Sequence, residues 1–277
     1  MKIGVTLHCT DLAMSPVELA VEAEARGFHS LYLPEHTHIP TSRRTPPPTG
    51  TPELAQEYLR SLDPYIALAA ASVRTERIRL GTGIGLVAQH DPITFAKELA
   101  TLDLLSAGRL TLGIGYGWNV EEMESHGIDV KRRRARVREF MLAMQALWSQ
   151  EVAEFRGEFV RFEASWQWPK PVQQPRPLVL VGGAAGPKLF DHIAEYADGW
   201  LPIGGAGLRE SLPALRRAME ARDRDPAGLH VVPMGVLPTA EKLDYYRESG
   251  VTECVLRLPS APRDQVLPTL DHYTELR

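Results

Sequence analysis

The sequence is poor in cysteine and has no long hydrophobic run. Among its 277 residues there are two cysteines, Cys9 and Cys254, too few for a disulfide framework or a cysteine-based zinc site. No apolar stretch approaches the roughly 20 residues that a membrane-spanning helix needs. The chain opens on a strand-like segment without a basic and apolar leader. We therefore expect a protein of the reducing cytoplasm with no membrane partner.

A large excess of charge of either sign is also absent. The formal net charge is −4, which gives no reason to expect a nucleic-acid or anionic membrane partner. The basic run at 131–134 opens a helical segment, and we interpret it as a solvated helix face. The alternative is that this run binds an acidic cofactor tail. The 44% of hydrophobic residues suits a globular α/β enzyme. We predict one domain over residues 1–277.

Strand-like and helix-like segments alternate from one end of the chain to the other. Helix starts are marked by a capping residue followed by proline, as at Ser15-Pro16, Asp63-Pro64 and Asp91-Pro92. The predicted strands are 3–8, 29–33, 78–83, 109–114, 178–181, 199–202, 229–234 and 253–258. Eight such units predict a (β/α)8 TIM barrel rather than a doubly wound open sheet.

Two segments interrupt the repeat, one after strand 2 and one before strand 5. Residues 34–62 are too long for an ordinary connection and include a polar, proline-rich run, which is typical of a lid or binding loop. A linker is the plainer alternative. Residues 151–177 contain a pattern that alternates around Gly157 and predicts a small hairpin. We expect both insertions to cover the barrel rather than to form further domains.

The end of the second predicted strand carries the leading catalytic candidates, Glu35 and His36. The C-terminal ends of barrel strands are where barrel enzymes place their chemistry. A histidine exchanges protons near neutral pH, and a neighbouring carboxylate can hold it in one tautomer. A structural histidine that binds a loop carbonyl is the alternative. His90, after the third strand, is a candidate for contact with substrate.

Glycines crowd the ends of the third and fourth strands. In strand 3, Thr82, Gly83 and Ile84 lie in a glycine-rich stretch that predicts a bulge against a planar ligand, or close packing of a helix. In strand 4, Gly115 and Gly117 would keep the strand end clear of a ligand. Trp118 and Asn119 follow these glycines, and we place both at the rim of the pocket.

A third glycine-rich strand end follows strand 5, where Gly182, Gly183 and Ala184 precede a helix start. Exposed amides at such a position bind phosphate well, although a plain turn has the same composition. No HExxH, CxxC or paired His/Asp spacing indicates a metal, so we expect none. No GxSxG elbow indicates a serine nucleophile.

These motifs, in this order, resemble the bacterial luciferase-like flavin monooxygenase superfamily, and within it the branch of oxidoreductases that depend on coenzyme F420. The resemblance covers nearly the whole chain. It rests on Ala25-Arg26-Gly27-Phe28, Leu33-Pro34-Glu35-His36, Arg79-Leu80-Gly81-Thr82-Gly83-Ile84, Asp91-Pro92, Leu104-Leu105-Ser106-Ala107-Gly108-Arg109-Leu110, Gly113-Ile114-Gly115-Tyr116-Gly117-Trp118-Asn119-Val120-Glu121-Glu122, Trp168-Pro169-Lys170-Pro171-Val172-Gln173, Val181-Gly182-Gly183 and Tyr196-Ala197-Asp198-Gly199-Trp200.

The resemblance implies a flavin or deazaflavin ring at the C-terminal mouth of the barrel. It implies a non-proline cis peptide bond at Gly83–Ile84 beneath the ring, Glu35 and His36 near the reactive edge, and cofactor phosphate at the glycine-rich loop after strand 5. In a related sugar-phosphate dehydrogenase an acidic residue lies at the position of Trp118, so that proton donor has no counterpart in this chain. Relatives commonly pair as homodimers, which we expect here as well.

The function that the resemblance implies is hydride transfer between F420 and a small-molecule substrate, with His36 moving the substrate proton and segment 34–62 closing over the site. The nearest alternative is an FMN-dependent monooxygenase supplied by a separate flavin reductase. A barrel that binds cofactor without turnover is a second alternative. A barrel hydrolase or aldolase is disfavoured, because Lys97 and Lys188 lie on predicted helices rather than at strand ends.

Overall fold

The computed structural model describes residues 1–47 and 53–276. The strands in the described residues are β1 Lys2–Thr6, β2 Ser30–Leu33, β3 Arg79–Gly85, β4 Leu110–Ile114, β5 Ala153–Arg156, β6 Arg161–Ser165, β7 Leu178–Gly182, β8 Gly199–Leu201, β9 His230–Val231, β10 Met234–Val236 and β11 Glu253–Arg257. The α-helices are α1 Pro16–Ala25, α2 Gln56–Leu59, α3 Pro64–Ser72, α4 Pro92–Leu105, α5 Val120–Ser125, α6 Arg133–Ser149, α7 Pro187–Tyr196, α8 Leu208–Glu220, α9 Ala240–Glu248 and α10 Arg263–Glu275.

The main sheet is a parallel barrel of eight strand positions, which confirms the predicted fold. Its strand order is β10-β11-β1-β2-β3-β4-β7-β8-β9. The predicted seventh strand is split into β9 and β10 by Val232 and Pro233, because proline has no amide to donate to a ladder. Val232 N still donates to Trp200 O and Val255 N to Pro233 O, so this broken strand bonds to both neighbours and closes the ring.

Both insertions lie where they were predicted. The second contains β5 and β6, which pair antiparallel as a hairpin. The first contains the four-residue helix α2, while its residues 48–52, including part of the proline-rich run, lie outside the described residues. The short helix α5, which follows β4, was not predicted from the sequence.

The barrel interior is filled by strand side chains, and a larger apolar layer packs between the strands and the surrounding helices. The interior cluster consists of Tyr32, Leu180, Leu201, Val232, Met234 and Val255. Because these side chains fill the centre of the barrel, the open space for a ligand lies above them at the strand ends. Among the described residues, no helix is both long and apolar enough to cross a bilayer.

The proline-marked helix starts were predicted correctly, but their caps differ. The Asp63 side chain accepts a hydrogen bond from Ile66 N, and the Asp91 side chain accepts one from Thr94 N, each at 2.8 Å. Ser15 precedes Pro16 in the same way but makes no side-chain cap hydrogen bond. Of these three residues, only the two aspartates therefore satisfy an otherwise free amide in the first turn of the helix.

This difference gives a stability prediction. Asp91→Ala should lower the free energy of unfolding by about 1 kcal/mol, because it removes a working N-cap. Ser15→Ala is the matched control, and its effect should stay within about 0.5 kcal/mol. Urea unfolding followed by circular dichroism measures both. An equal loss in the two variants would contradict the cap assignment.

Candidate active site

His36 lies at the C-terminal end of β2 and is held by hydrogen bonds at both ring nitrogens. Its Nδ1 is 2.8 Å from Glu122 Oε2, and the indole Nε1 of Trp118 donates to its Nε2 at 3.2 Å. The side chain of His36 is 6% exposed and that of Glu122 is 1% exposed. Two strand ends and one helix therefore meet at this imidazole.

These contacts define the tautomer of His36. An indole N–H can only donate, so Nε2 of His36 must accept, and the neutral ring carries its proton on Nδ1. That proton is donated to the Glu122 carboxylate. The Nε2 lone pair is thus the group that can take up a proton, and the carboxylate would stabilise the imidazolium that results.

The Glu122 carboxylate is supplied by the first turn of α5. Asn119 caps this helix by accepting from Glu122 N, and Glu122 Oε1 accepts from Thr37 N at 3.1 Å. One carboxylate therefore holds both the catalytic candidate and the residue after it. Glu122 was not predicted from the sequence as a site residue. The available signal was a capping asparagine followed three residues later by a glutamate directly after a strand end.

Aromatic rings surround His36 at the mouth. Tyr58, from α2, lies 5.5 Å from the His36 ring and 4.8 Å from the His8 ring. Trp118 packs edge-on to His36 at 5.7 Å and to Tyr58 at 6.0 Å. The lid-like insertion therefore contributes a side chain directly to the site. Neither His8 nor Tyr58 was predicted from the sequence as a site residue.

Glu35 lies next to His36 in sequence, but its described contacts are with the loop after β3. Its Oε2 accepts from Leu86 N at 2.5 Å and from the Tyr65 hydroxyl at 3.1 Å. Its Oε1 is 2.6 Å from His90 Nε2. Burial lowers the pKa of His90, but the hydrogen bond and charge of Glu35 outweigh it and raise this pKa overall. We therefore assign Glu35, which is buried, and His90, which is half-buried, as a pair that holds the end of β3.

The end of β3 has the irregular backbone that the resemblance implied. The Gly83–Ile84 peptide bond is cis, and the register between β3 and β4 shifts between Thr82 and Gly85. The Thr82 hydroxyl donates to Gly113 O at 2.8 Å, so this side chain supports the bulge from within. Glu35 N donates to Ile84 O at 3.3 Å, which places the bulge beside the end of β2.

Glycine is required around the Ile84 side chain. A Cβ added at Gly115 would lie 2.7 Å from Ile84 Cγ2, and one added at Gly182 would overlap Ile84 Cδ1. The glycines at the ends of β4 and β7 therefore admit the Ile84 side chain between the strands. The close packing explains both glycines without a ligand, and it also fixes the position of the bulge.

Two buried donors near the bulge fit a polar planar ligand. Within the described residues, Asn119 Nδ2 and Gln89 Nε2 have no hydrogen-bond partner, and buried polar groups normally have one. Gln89, Gly115 and Gly117 line one narrow cleft, which is too tight in this structure to hold a water molecule. Gly117 has φ +77°, a conformation that favours glycine. A Cβ added there would also lie 3.0 Å from the Met123 sulfur. A ring with carbonyl and nitrogen acceptors would satisfy such donors.

The loop after β7 has the features expected of a phosphate site. Gly183 has φ +143°, and its carbonyl accepts from the Trp200 indole at 2.9 Å. Ala184 is exposed, and a Cβ on Gly186, at the start of α7, would meet no atom within 4 Å. The loop thus offers open backbone directly before a helix N-terminus.

The basic run and His38 lie at the surface. In the basic run, Arg132 pairs with Glu158, while Arg134 stacks over the Tyr116 ring at 4.6 Å. His38 is exposed and bonds the Thr37 hydroxyl. In the described part of the chain, no three His, Cys, Asp or Glu side chains are grouped so that they could hold a metal ion.

Comparison with known proteins defines the class. The model of the luciferase-like monooxygenase family matches residues 13–253, and the chain belongs to this family. An uncharacterized protein of Mycobacterium tuberculosis is 45% identical over 268 residues, which is 95% of this chain and 94% of that protein.

Two further proteins show the range of activities among similar proteins. The F420-dependent glucose-6-phosphate dehydrogenase of Kineococcus radiotolerans is 29% identical over 237 residues, 81% of this chain and 64% of that enzyme. The crystal structure of the monooxygenase RslO1 from Streptomyces bottropensis superposes with a TM-score of 0.82 at 23% identity, covering 99% of this chain and 98% of that one. The family match supports an enzyme of the luciferase-like monooxygenase class, and the structural likeness supports the barrel fold.

The tautomer of His36 is directly testable. In protein labelled with ¹⁵N-histidine, the neutral His36 ring should carry its proton on Nδ1. Glu122→Ala should weaken this preference because it removes the acceptor. Glu124→Ala, on the same helix, changes an exposed carboxylate that pairs with Arg44 instead, and it should leave the His36 signals unchanged. A proton on Nε2 in the unaltered protein would contradict the assignment.

Proposed function

We propose that the protein is an oxidoreductase that transfers hydride between coenzyme F420 and a small organic substrate at the C-terminal mouth of the barrel. The observation that carries the proposal is the His36–Glu122 pair, 2.8 Å apart, beside the bulge of β3. When an alcohol is oxidised by loss of hydride from carbon, its hydroxyl proton is also released, and Nε2 of His36 can accept that proton once the Trp118 indole no longer donates to it. The similarity to the Kineococcus radiotolerans F420 enzyme supports the choice of cofactor.

The site residues fit a deazaflavin in three places. The backbone of Gly83 and Ile84 would lie beneath the ring, and Asn119 and Gln89 would donate to its polar edge through the buried amides that lack partners among the described residues. The loop from Gly182 to Ala184 would bind phosphate through its amides. The cofactor supplies a carbon that accepts or releases hydride, while the protein supplies orientation and a proton acceptor.

The proton moves at Nε2 of His36. In the structure this nitrogen accepts from Trp118 Nε1 at 3.2 Å, so a substrate hydroxyl must take the place of the indole N–H before it can donate. Protonated His36 then keeps its Nδ1–H bond to Glu122, whose negative charge stabilises the imidazolium. In the reverse direction the same nitrogen returns the proton to the substrate oxygen. Glu35 serves as a positioning residue for the bulge.

An FMN-dependent monooxygenase supplied by a flavin reductase is the second candidate. This candidate is supported by the family to which the chain belongs, because that family is the luciferase-like monooxygenase family. The bulge and the buried amides would accept the ring of FMN as well as that of F420. The loop after β7 would bind the phosphate of either cofactor. The two candidates differ in which cofactor the protein binds tightly, and that difference provides the test.

The first experiment titrates the purified protein with F420 and with FMN and follows cofactor fluorescence. We expect tight binding of F420 and weaker binding of FMN. The reverse preference would favour the monooxygenase, and binding of neither would make the barrel a non-catalytic member of the family.

The phosphate loop gives a prediction within the same titration. Ala184→Asp should weaken F420 binding about tenfold, equivalent to about 1.4 kcal/mol, because it adds a negative charge beside the bound phosphate. The affinity for a deazaflavin that lacks the phosphate should not change. Gly228→Asp is the control, because Gly228 also has open space around it but lies in a short turn before β9. Unchanged F420 affinity in Ala184→Asp would remove the phosphate site from this loop.

His36 gives the second prediction. His36→Ala should lower turnover at least tenfold, since acid–base groups contribute about 10²–10⁴ to rates, while F420 affinity stays near that of the unaltered protein. His38→Ala changes an exposed histidine two residues away and should retain turnover within about threefold. Full turnover in His36→Ala would exclude His36 as the proton acceptor.

A further inference from the structure

We propose that His8 contacts the substrate and that, together with His36, it selects an uncharged alcohol or carbonyl compound with an apolar or aromatic frame. This inference rests on the proposed function and specifies its substrate class. It concerns a histidine that the proposed proton transfer does not use. His8 follows β1, the barrel strand that pairs with β2, so it lies on the same rim as His36.

The two imidazoles lie next to one another on the rim, with their planes nearly parallel. Their centroids are 6.5 Å apart and their planes differ by 6°. His8 is fixed by a 2.7 Å hydrogen bond between its Nε2 and the Ser61 hydroxyl, where the insertion returns to the barrel. Leu62 N donates to Cys9 O at 3.0 Å and secures the same junction. His8 is therefore a held side chain rather than a mobile surface residue.

The surface next to these imidazoles suits an aromatic ligand. Tyr58 packs against both rings, and Trp118 packs edge-on to Tyr58 and His36. Because Trp118 follows β4 and His36 follows β2, this wall of four rings adjoins the bulge of β3, which lies between those strands. The Tyr58 phenol shows that an aryl ring bearing a hydroxyl is compatible with the faces of both histidines.

The charges at this wall disfavour an anionic substrate. Burial, followed by the charges of His36 and Arg257, lowers the pKa of His8 to about 4, so its ring is neutral at physiological pH. Arg257 is paired with Glu57 at 3.0 Å, and Glu122 places a carboxylate on the other side of His36. A phosphate or carboxylate here would meet a neutral imidazole and a nearby negative charge. An uncharged hydroxyl or carbonyl oxygen meets no such penalty.

The chemistry then divides between the two histidines. When an alcohol is oxidised, its hydroxyl proton passes to Nε2 of His36, hydride leaves the carbon for the deazaflavin, and the C–O bond becomes C=O. His8 keeps its protonation state throughout, and its Nδ1 bonds the substrate oxygen while its Nε2 stays with the Ser61 hydroxyl. It therefore acts on substrate affinity and selectivity, whereas His36 acts on the rate of proton transfer.

The test compares substrates and variants in the protein loaded with oxidised F420 for the oxidative reactions and with reduced F420 for the reductive reaction. The probes are 1-phenylethanol in the oxidative direction and acetophenone in the reductive direction, with 4-(1-hydroxyethyl)benzoate and glucose 6-phosphate as anionic comparators. We expect kcat/KM for 1-phenylethanol to exceed that of either comparator at least tenfold. His8→Phe should raise KM for 1-phenylethanol about tenfold with a smaller change in kcat, because the lost contact aids binding.

His8→Gln separates a hydrogen-bonding role from a packing role. It keeps a neutral side chain that can donate and accept, so KM should stay within about threefold of the unaltered protein. The pH profile of kcat/KM above pH 5 should be the same in both variants, because His8 does not titrate there. F420 affinity, measured by fluorescence, should be unchanged in both.

The outcomes separate this inference from the proposed function. Failure of the unaltered protein to bind F420 would remove the proposed function and this inference with it. Binding of F420 combined with a preference for either anionic comparator, or with no turnover of the alcohol and the ketone, would overturn the substrate class alone. An unaltered KM in His8→Phe would overturn the role of His8.

Discussion

The buried carboxylate of Glu35 is the constraint on which the mouth of the barrel depends. The end of β3 leaves regular strand geometry, and its backbone must still find partners away from water. Glu35 accepts from Leu86 N and the Tyr65 hydroxyl and pairs with His90. Glu35 therefore fixes the loop after β3. The Ile84 side chain then packs between the glycines at the ends of β4 and β7, which fixes the position of the bulge.

Two neighbouring carboxylates, Glu121 and Glu122, hold the other side of the mouth. Glu122 binds His36 and Thr37, while its neighbour Glu121 accepts from Arg44 N and Thr45 N at 2.6 and 3.0 Å. Burial alone would raise the pKa of Glu121, but hydrogen bonds from Thr45 and Arg44 lower it to about 2. One turn of α5 therefore holds both ends of residues 36–45. The proposed proton acceptor and the first part of the insertion share this anchor.

The local features of the barrel could be predicted from the sequence, and the long-range ones could not. Strand periodicity, the aspartate–proline helix starts and the glycines around Ile84 are visible within a few residues. The partner of His36 is 86 residues away in the chain, and its identity follows only from packing. Glu35 was expected beside His36 at the reacting centre. The described contacts of its carboxylate are with the loop after β3, because consecutive side chains near a strand end point in different directions.

A crystal structure of the complex with the cofactor that binds would test the account most directly. The account predicts the ring against the Gly83–Ile84 backbone, its polar edge bonded to Asn119 and Gln89, and its phosphate at the loop after β7. His36 would then lie beside the reacting edge of the ring. A ring bound elsewhere, for example in the cavity of about 310 Å³ lined by Arg209, Arg216 and Glu248, would contradict the assignment of the active site.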